Sequence, residues 1–362
     1  MRLLDILGDG DNTEPTVPDT FRRVPAPTPT PGSGPETEDT SLLPGTYHAT
    51  PQRPRPSFAP KPAPPKPDRH RRYARRSGMT IGERVAAAWH NAPGGTRLEI
   101  PIGTVAALAL FPYEGPDVPK MADWVMGLND NQLWQLYRET WAAHWTNRPE
   151  LIDRASILAT WLEEDQPDTH TLRGVRAVTN AALTSGMWEY THSGIPGMRT
   201  DIDLMSWVIT HLRGEGARHG LGEYHTPPDV ADMMARCLYD VHDVEPGHAF
   251  HDPAAGTGGL FRSLSNNLRD NGLNPHDFTW HMSDIDPLAA AGAAVNVLLW
   301  DLGPNAYISC GDSLRDPDLP RKAMEHAAGA RAHRDRTIQT AHMIAAIGKA
   351  ERLLAQAVEE AA

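Results

Sequence analysis

Three short apolar segments that alternate with helical segments constrain the fold of residues 248–314 more than any other feature. They are HAFH (His248–His251), DFTWHMSD (277–284) and AYISC (306–310), and a turn with glycine or acidic residues follows each one. The first two turns lead into stretches that are long enough for a helix. Strands that alternate with helices in this way predict a parallel, doubly wound α/β sheet.

The turn after the first predicted strand, DPAAGTGG (Asp252–Gly259), has the composition of a ligand-binding loop. Ligands of open α/β sheets bind at the carboxyl ends of the strands. Because Gly256, Gly258 and Gly259 lack side chains, backbone N–H groups can approach a ligand there, and the following helix offers its N-terminus. The spacing matches neither a P-loop nor Gly-x-Gly-x-x-Gly. A tight strand-to-helix connection would explain the glycines equally well.

Two carboxylates extend this pattern. Asp284 ends the second strand, where an acid can accept hydrogen bonds from both hydroxyls of a ribose. Asp312 follows the third strand, where an acid can reach the amino edge of an adenine ring. Each acid by itself is also typical of a solvated turn. Together with the glycine turn they predict an adenosine ligand that needs no phosphate, and S-adenosyl-L-methionine fits that description.

These segments resemble the adenine-specific DNA methyltransferases, in particular the modification (methylase) subunits of type I restriction–modification systems. The resemblance covers about Asp201 to Leu314 and rests on GEYHTPPDVADMM, HDPAAGTGGLF, SDIDPLAAAGAAVNVLLW and ISCGDSL. It implies an α/β fold: a partial Rossmann-like, S-adenosylmethionine-dependent methyltransferase core of about three parallel strands. An all-helical amino-terminal domain and a helical carboxyl-terminal tail would flank that core.

The resemblance also implies which residues bind the cofactor. The family would place the Glu-Tyr-x-Thr-Pro segment beside the methionine and adenine moieties, the glycine turn at the amino-acid end, and the two acids at the ribose and the adenine. His225 stands where the family usually has an aromatic residue. The implied set is Glu223, Tyr224, Thr226, Pro227, Asp252, Pro253, Ala254, Gly256, Thr257, Gly258, Gly259, Asp284 and Asp312.

The motif with which that family grips its substrate is not found in the sequence. Enzymes of the family hold the amino group of a flipped adenine with Asn/Asp-Pro-Pro-Tyr/Phe, which follows a fourth strand. Downstream of Asp312 only RDPDLP (Arg315–Pro320) comes near it. Asp316 and Pro317 are weak catalytic candidates, because an acid replaces the second proline and no aromatic residue follows.

The resemblance therefore implies an adenine methylase of DNA that is incomplete and depends on a partner, such as a second methylase or a specificity subunit. One alternative is a non-catalytic protein, derived from such a methylase, that binds the cofactor or associates with DNA in regulation. Another is a helical interaction protein whose glycine turn binds nothing.

Three strands in the order three-two-one would leave the first strand at an edge of the sheet. HAFH, with two imidazoles and one large apolar side chain, suits a half-exposed edge better than a central strand. We expect another chain, or the carboxyl-terminal helices, to cover that edge. Downstream, Met343, Ile347, Ala350, Leu354 and Ala357 form an apolar stripe at four-three spacing, which predicts burial against a core or another helix.

Composition divides the chain into four regions. Residues 1–78 are rich in proline and arginine and predict a disordered tail. The tail ends in RHRRYARR (Arg69–Arg76), which suits either a contact with DNA phosphates or a solubilising linker end. Residues 79–215 predict a helical domain that could also contact DNA, 216–320 a cofactor-binding half-domain, and 321–362 carboxyl-terminal helices.

Several classes of protein are disfavoured. A formal charge of −12 argues against a protein that coats nucleic acid over its whole surface. No apolar run is long enough for a membrane span, no secretory leader is evident, and Cys237 and Cys310 lie far apart, so we expect a cytoplasmic protein. The histidine pairs His248/His251 and His242/His248 lack the spacing of a zinc site, so we expect no metal.

Overall fold

The predicted alternation of strands and helices forms a three-stranded parallel sheet in the computed structural model. Its strands are β1 (Ala249–Asp252), β2 (Thr279–Asp284) and β3 (Ala306–Cys310), in the order β1-β2-β3. The three parallel strands and their order are therefore confirmed. The structure describes residues 69–92, 95–113, 117–163, 168–193, 196–214, 226–238 and 244–360.

Helices make up most of the described chain before the sheet. Side-chain caps explain several of their starts: Asn129 forms a capping box with Gln132, and Asp168 accepts hydrogen bonds from the N–H groups of His170 and Thr171. In chain order the helices are α1 (Arg69–Asn91), α2 (Glu99–Leu110), α3 (Val118–Gly127), α4 (Asp130–Asn147), α5 (Pro149–Ala155), α6 (Thr169–Thr184), α7 (Met187–Thr191), α8 (Pro196–Arg199) and α9 (Leu204–Leu212).

Helix α1 begins earlier than the composition suggested. Residues 69–78, which were assigned to the proline- and arginine-rich tail, are helical, and Ala74 within them is fully buried. An arginine-rich helix can pack in this way when its small residues face a neighbour, here α6 and α9. Residues 1–68, the rest of the predicted tail, lie outside the described chain.

Four further helices surround the sheet. They are α10 (Pro228–Leu238), α11 (Gly259–Asp270), α12 (Pro287–Leu299) and α13 (Leu319–Glu360). Helix α12 is buried along most of its length, because its alanines let it pack closely between β2 and β3 on one side and α2, α5 and α9 on the other. One apolar core therefore extends through both the helical region and the sheet region, on either side of the boundary predicted near residue 215.

The two edges of the sheet differ. Helices α5 and α13 pack against β3, whereas no strand among the described residues pairs with the outer edge of β1. Along β1, Phe250 and Asp252 are buried while Ala249 and His251 are exposed. The first strand is thus an edge, as its composition predicted, but α13 packs mainly against the opposite side of the sheet.

Helix α13 has 42 residues, which corresponds to a length of ~63 Å. Its first turns pack against the body through four buried side chains, Leu319, Ala323, Ala327 and Ala330. Farther along, the predicted apolar stripe is exposed, so the expected burial of that stripe is not found within the described residues. Neither this helix nor any other in the described part of the chain combines the length and apolarity that a membrane crossing needs.

Candidate functional site

The glycine turn between β1 and α11 uses its glycines for two different purposes. Gly256 and Gly258 both lie in the left-handed region, with φ of +56° and +93°. A Cβ on Gly258 would lie 3.1 Å from Met282 Sδ and 3.2 Å from Trp300 Cζ3, so this glycine is needed for packing. A Cβ on Gly256 would meet no atom of the described residues within 4 Å. The two glycines therefore differ: Gly258 is packed closely against the sheet and α12, whereas the described residues leave room at Gly256.

Asp284 lies directly against this turn. Its carboxylate accepts a 2.7 Å hydrogen bond from the Gly256 N–H and a 2.9 Å hydrogen bond from the Asp286 N–H. Because β1 and β2 are parallel neighbours, their carboxyl ends place the turn and the acid side by side. The two elements that were singled out in the sequence thus form one constellation.

Asp252 is a buried acid at the start of the same turn. It accepts a 3.1 Å hydrogen bond from the Ala254 N–H. Burial raises the pKa of the Asp252 carboxyl, the Ala254 hydrogen bond and His251 oppose this effect, and the neighbouring charge of Asp284 adds to it. A buried carboxylate of this kind is stabilised by a cationic group placed beside it.

The loop after β3 reaches the loop after β1. Ser313 Oγ donates a 2.9 Å hydrogen bond to the Pro253 carbonyl, although β2 lies between the two strands. Asp312, beside Ser313, accepts a hydrogen bond from the Leu314 N–H and forms a 3.3 Å ion pair with the exposed Arg315. The structure therefore brings all three strand ends, with their acids, to one side of the sheet.

The helical region anchors the turn through Asp203, which was not singled out in the sequence. This buried residue caps α9 and accepts hydrogen bonds from Thr257 Oγ1 at 3.2 Å and from Asn296 Nδ2 at 2.9 Å. Asn296 Nδ2 also donates to the Thr257 carbonyl. The spacing of Asp203 and Ser206 is an ordinary capping pattern, so no signal in the sequence distinguished this contact.

A buried ion pair fixes the end of the helical region beside β2. Arg213 donates two hydrogen bonds to the Asp286 carboxylate, at 2.5 Å and 3.0 Å, and its side chain is only 5% exposed. Asp286 also caps α12 through the N–H groups of Leu288 and Ala289. Burial alone would raise the pKa of Asp286, but the hydrogen bonds and charge of Arg213 outweigh burial and lower it.

The structure describes only the end of the predicted Glu-Tyr-x-Thr-Pro segment. Glu223, Tyr224 and His225 are outside the described residues. Thr226 and Pro227 are exposed just before α10, the helix that packs against α11. That packing is held by Asp232, which accepts hydrogen bonds from Ser263 Oγ at 2.6 Å and Arg262 Nη2 at 3.2 Å.

The weak catalytic candidates lie at the exposed start of α13. Asp316 accepts hydrogen bonds from Lys322 Nζ and from the Asp318 N–H. The hydrogen bond from Lys322 lowers the pKa of Asp316. Asp316 is therefore engaged in a helix-terminal ion pair, and Pro317 is exposed beside it. This arrangement fits a helix start better than a grip on an amino group.

The remaining candidates are the histidine pairs and the basic cluster. Across the described residues, no three histidine, cysteine or acidic side chains are grouped as a metal ion would require. His251 and His281 face each other with ring centroids 6.4 Å apart, and His242 is outside the described chain. Of the basic cluster Arg69–Arg76, which belongs to α1, the Arg76 side chain is exposed.

Comparison with known proteins identifies relatives for the region that holds this constellation. Residues 203–333 match the family model of N-6 DNA methylases. A stretch of 95 residues, 26% of this chain, is 30% identical to the type I restriction enzyme MjaIX methylase subunit of Methanocaldococcus jannaschii. The match spans only 16% of that relative's length. The resemblance to N-6 DNA methylases, inferred above from short motifs, is thereby confirmed for this part of the chain.

A solved structure was also found. It is the crystal structure of the type I restriction–modification methyltransferase subunit from Streptococcus thermophilus, with a TM-score of 0.38 and 12% sequence identity. The superposition covers 67% of this chain and 59% of that subunit.

Proposed function

We propose that this chain binds S-adenosyl-L-methionine and serves in the methylation of the exocyclic amino group of adenine in DNA. The observation that supports this most is the contact between Gly256 and Asp284 at the ends of neighbouring parallel strands, with no described atom within 4 Å of the place where a Cβ on Gly256 would lie. The match of residues 203–333 to N-6 DNA methylases favours an adenosine cofactor at this place.

The residues at the strand ends fit such a cofactor chemically. When bound, S-adenosyl-L-methionine supplies an electrophilic methyl group on a positively charged sulfur. The buried Asp252 would attract the ammonium group at the amino-acid end, since its own charge is poorly solvated. Asp284 would accept hydrogen bonds from the ribose hydroxyls, and Asp312 would accept one from the adenine amino group.

Other residues enter this proposal through the resemblance. Pro253, Ala254 and Thr257 would shape the turn, whose bare backbone at Gly256 would let the cofactor approach. By the same resemblance, Glu223, Tyr224, Thr226 and Pro227 would flank the methionine and adenine moieties.

We propose that a partner supplies the residues that bind the amino group of the substrate adenine. The 362 residues contain no Asn/Asp-Pro-Pro-Tyr/Phe sequence, and Asp316 is already paired with Lys322. The partner would be a second methylase or a specificity subunit, because the relative from Methanocaldococcus jannaschii is named as one subunit of a larger enzyme. DNA would contact the helical region or the basic start of α1, in the cytoplasm.

Titration calorimetry of the purified full chain with S-adenosyl-L-methionine tests the first half of this proposal. We expect one saturable site, competition by S-adenosylhomocysteine, and loss of the heat in a Gly256→Asn variant. A parent protein that gives neither heat nor a thermal shift would contradict cofactor binding.

Transfer of a labelled methyl group to DNA tests the second half. We expect no transfer by the chain alone and transfer to adenine once the partner subunits are added. Transfer by the chain alone would refute the dependence on a partner while leaving cofactor binding intact. Cofactor binding without transfer under any of these conditions would favour the alternative, a non-catalytic regulatory protein that keeps the pocket and has lost the grip on adenine.

A further inference from the structure

The outer part of α13, defined here as Asp335–Glu360, carries an apolar face that no described residue covers. The helix contacts the body as far along as His333, whose ring packs against Trp145, and Arg334, which donates a hydrogen bond to the Thr146 carbonyl. Beyond them the large apolar side chains are open to solvent. Met343 is 63% exposed, and the exposed set continues with Ile344, Ile347, Leu353, Leu354 and Val358.

Four of these six side chains form one face of the helix. At 3.6 residues per turn, Met343, Ile347, Leu354 and Val358 fall within an arc of ~60°. Lys349 and Gln356 lie on the opposite side. Most helical stability in proteins comes from packing of an apolar face against another surface. The apolar face of the outer part of α13 is therefore suited to packing against a partner surface.

The spacing of the apolar residues is symmetric along the helix. Ile347 and Leu354 are equally far from a midpoint between residues 350 and 351, and so are Met343 and Val358. If two copies of the helix pair in opposite directions about this midpoint, Ile347 meets Leu354 of the other copy and Met343 meets its Val358. Ala350 at the centre is small enough to let the helices approach. A two-fold axis requires such a self-complementary face.

Charge and length are compatible with pairing of two copies. Asp335–Glu360 contains three Lys/Arg and four Asp/Glu residues, so it is almost neutral although the whole chain carries a formal charge of −12. Two such segments repel each other much less than two copies of the body would. The segment is ~39 Å long, roughly three to four heptads, which is enough for knobs-into-holes packing.

We infer that two copies of this chain associate through antiparallel pairing of their α13 helices. Sedimentation of the full chain over a range of concentrations tests the association. We expect the parent to approach twice its mass of 39.7 kDa, and the double variant Ile347→Glu/Leu354→Glu to remain a monomer. A Gln356→Glu variant, which adds charge to the opposite face, should dimerise like the parent.

The variants should share the thermal midpoint of the body, because Ile347 and Leu354 lie outside the apolar core. A parent that stays monomeric at every concentration, or a double variant that still dimerises, would overturn the inference. This outcome is independent of cofactor binding, which calorimetry measures separately.

Disulfide formation tests the direction of pairing. In a background where the exposed Cys237 and Cys310 are replaced by serine, Met343→Cys and Val358→Cys chains are mixed and oxidised. Mass spectrometry should find peptides that link 343 to 358. Links only between identical positions, or no links, would overturn the antiparallel arrangement.

Discussion

The backbone N–H of Gly256 donates a 2.7 Å hydrogen bond to the Asp284 carboxylate across the ends of two neighbouring strands. This contact ties the glycine turn to the acid that follows β2. It also holds the Asp284 side chain in place before any ligand arrives, so that the remaining acceptor capacity of the carboxylate has a fixed direction.

Substitution at Gly256 should separate ligand binding from folding. Asparagine tolerates the left-handed conformation that Gly256 adopts, so Gly256→Asn should leave the thermal midpoint nearly unchanged while its side chain fills the open space. Calorimetry should then show cofactor affinity reduced by more than tenfold.

Gly258→Ala serves as the counterpart, because its Cβ would press on Met282 and Trp300 at a strained φ. We expect it to destabilise the fold by ~1–3 kcal/mol, measured by urea unfolding. If Gly258→Ala is as stable as the parent while Gly256→Asn unfolds, the two roles have been assigned the wrong way round.

Asp284→Asn should reduce the affinity for the cofactor more than it reduces the stability of the fold. An asparagine at this position can still accept one backbone N–H, whereas the charge that strengthens a hydrogen bond from a ribose hydroxyl is lost. A charge-assisted bond contributes ~1.5–3 kcal/mol, which corresponds to a loss of roughly 10–150-fold in affinity. Calorimetry measures this loss, and Asp270→Asn, at the far end of α11, is the control that should bind like the parent. Equal affinities for parent and Asp284→Asn would remove Asp284 from the site.

Asp252→Asn is expected to stabilise the protein and weaken binding at the same time. Burial raises the pKa of Asp252 above its ordinary value of 3.8, so the folded state holds this proton more tightly than the unfolded state does. The free energy of unfolding should therefore fall as the pH rises from 3.8 through the raised pKa, and the penalty is complete at neutral pH.

Asparagine carries no such penalty, so the thermal midpoint of Asp252→Asn should exceed that of the parent at pH 7 and approach it near pH 3.8. Affinity for the cationic cofactor should decrease. A variant that is less stable than the parent at pH 7 would show that the Asp252 charge is compensated in the folded protein.

The strand-end arrangement followed from the sequence because it depends on local patterns. The apolar residues of AYISC, for example, are followed at once by a glycine and an acid, and parallel strands bring such ends to one side of a sheet. The distinction between Gly256 and Gly258 could not be predicted, since it depends on Met282 and Trp300, which are distant in sequence. The contact between Asp203 and Thr257 was missed for the same reason.

Arg213→Met should destabilise the protein because it leaves the carboxylate of Asp286 without its cation. Breaking a buried pair of this kind costs ~3–5 kcal/mol, measured by urea unfolding at pH 7. The Arg213 pair lowers the pKa of Asp286 despite its burial, so the stabilisation is present above the ordinary value of 3.8 and is lost as the pH falls through the lowered pKa.

The double variant Arg213→Met/Asp286→Asn should recover part of the loss, since it no longer carries the uncompensated charge. If the change in its free energy of unfolding equals the sum of the changes in the two single variants, the residues do not interact as the structure indicates.

Mild acid should destabilise the helical region through His192. Burial lowers the pKa of His192 to about 4, against the opposing hydrogen bond to the Phe111 carbonyl, and the charge of Arg199 lowers it further. The unfolded chain takes up this proton below pH 6.5 whereas the folded chain does so only near pH 4. The free energy of unfolding should therefore decrease by about 3 kcal/mol between these two pH values.

In His192→Gln this share of the pH dependence should disappear, although the variant loses the packing of the ring against Trp188 and starts from a lower stability at pH 7. Urea unfolding at pH 7 and pH 4.5 measures the change in the free energy of unfolding between these pH values. His342→Gln, on the exposed outer part of α13, should show the same change as the parent. The informative quantity is the difference between the free energies of unfolding at the two pH values. Lost packing lowers both free energies equally, whereas loss of the His192 proton changes the difference between them. If His192→Gln loses as much stability between pH 7 and pH 4.5 as the parent does, the acid sensitivity lies in other groups. The partly buried His144 would have an effect of the same sign, since desolvation lowers its pKa as well.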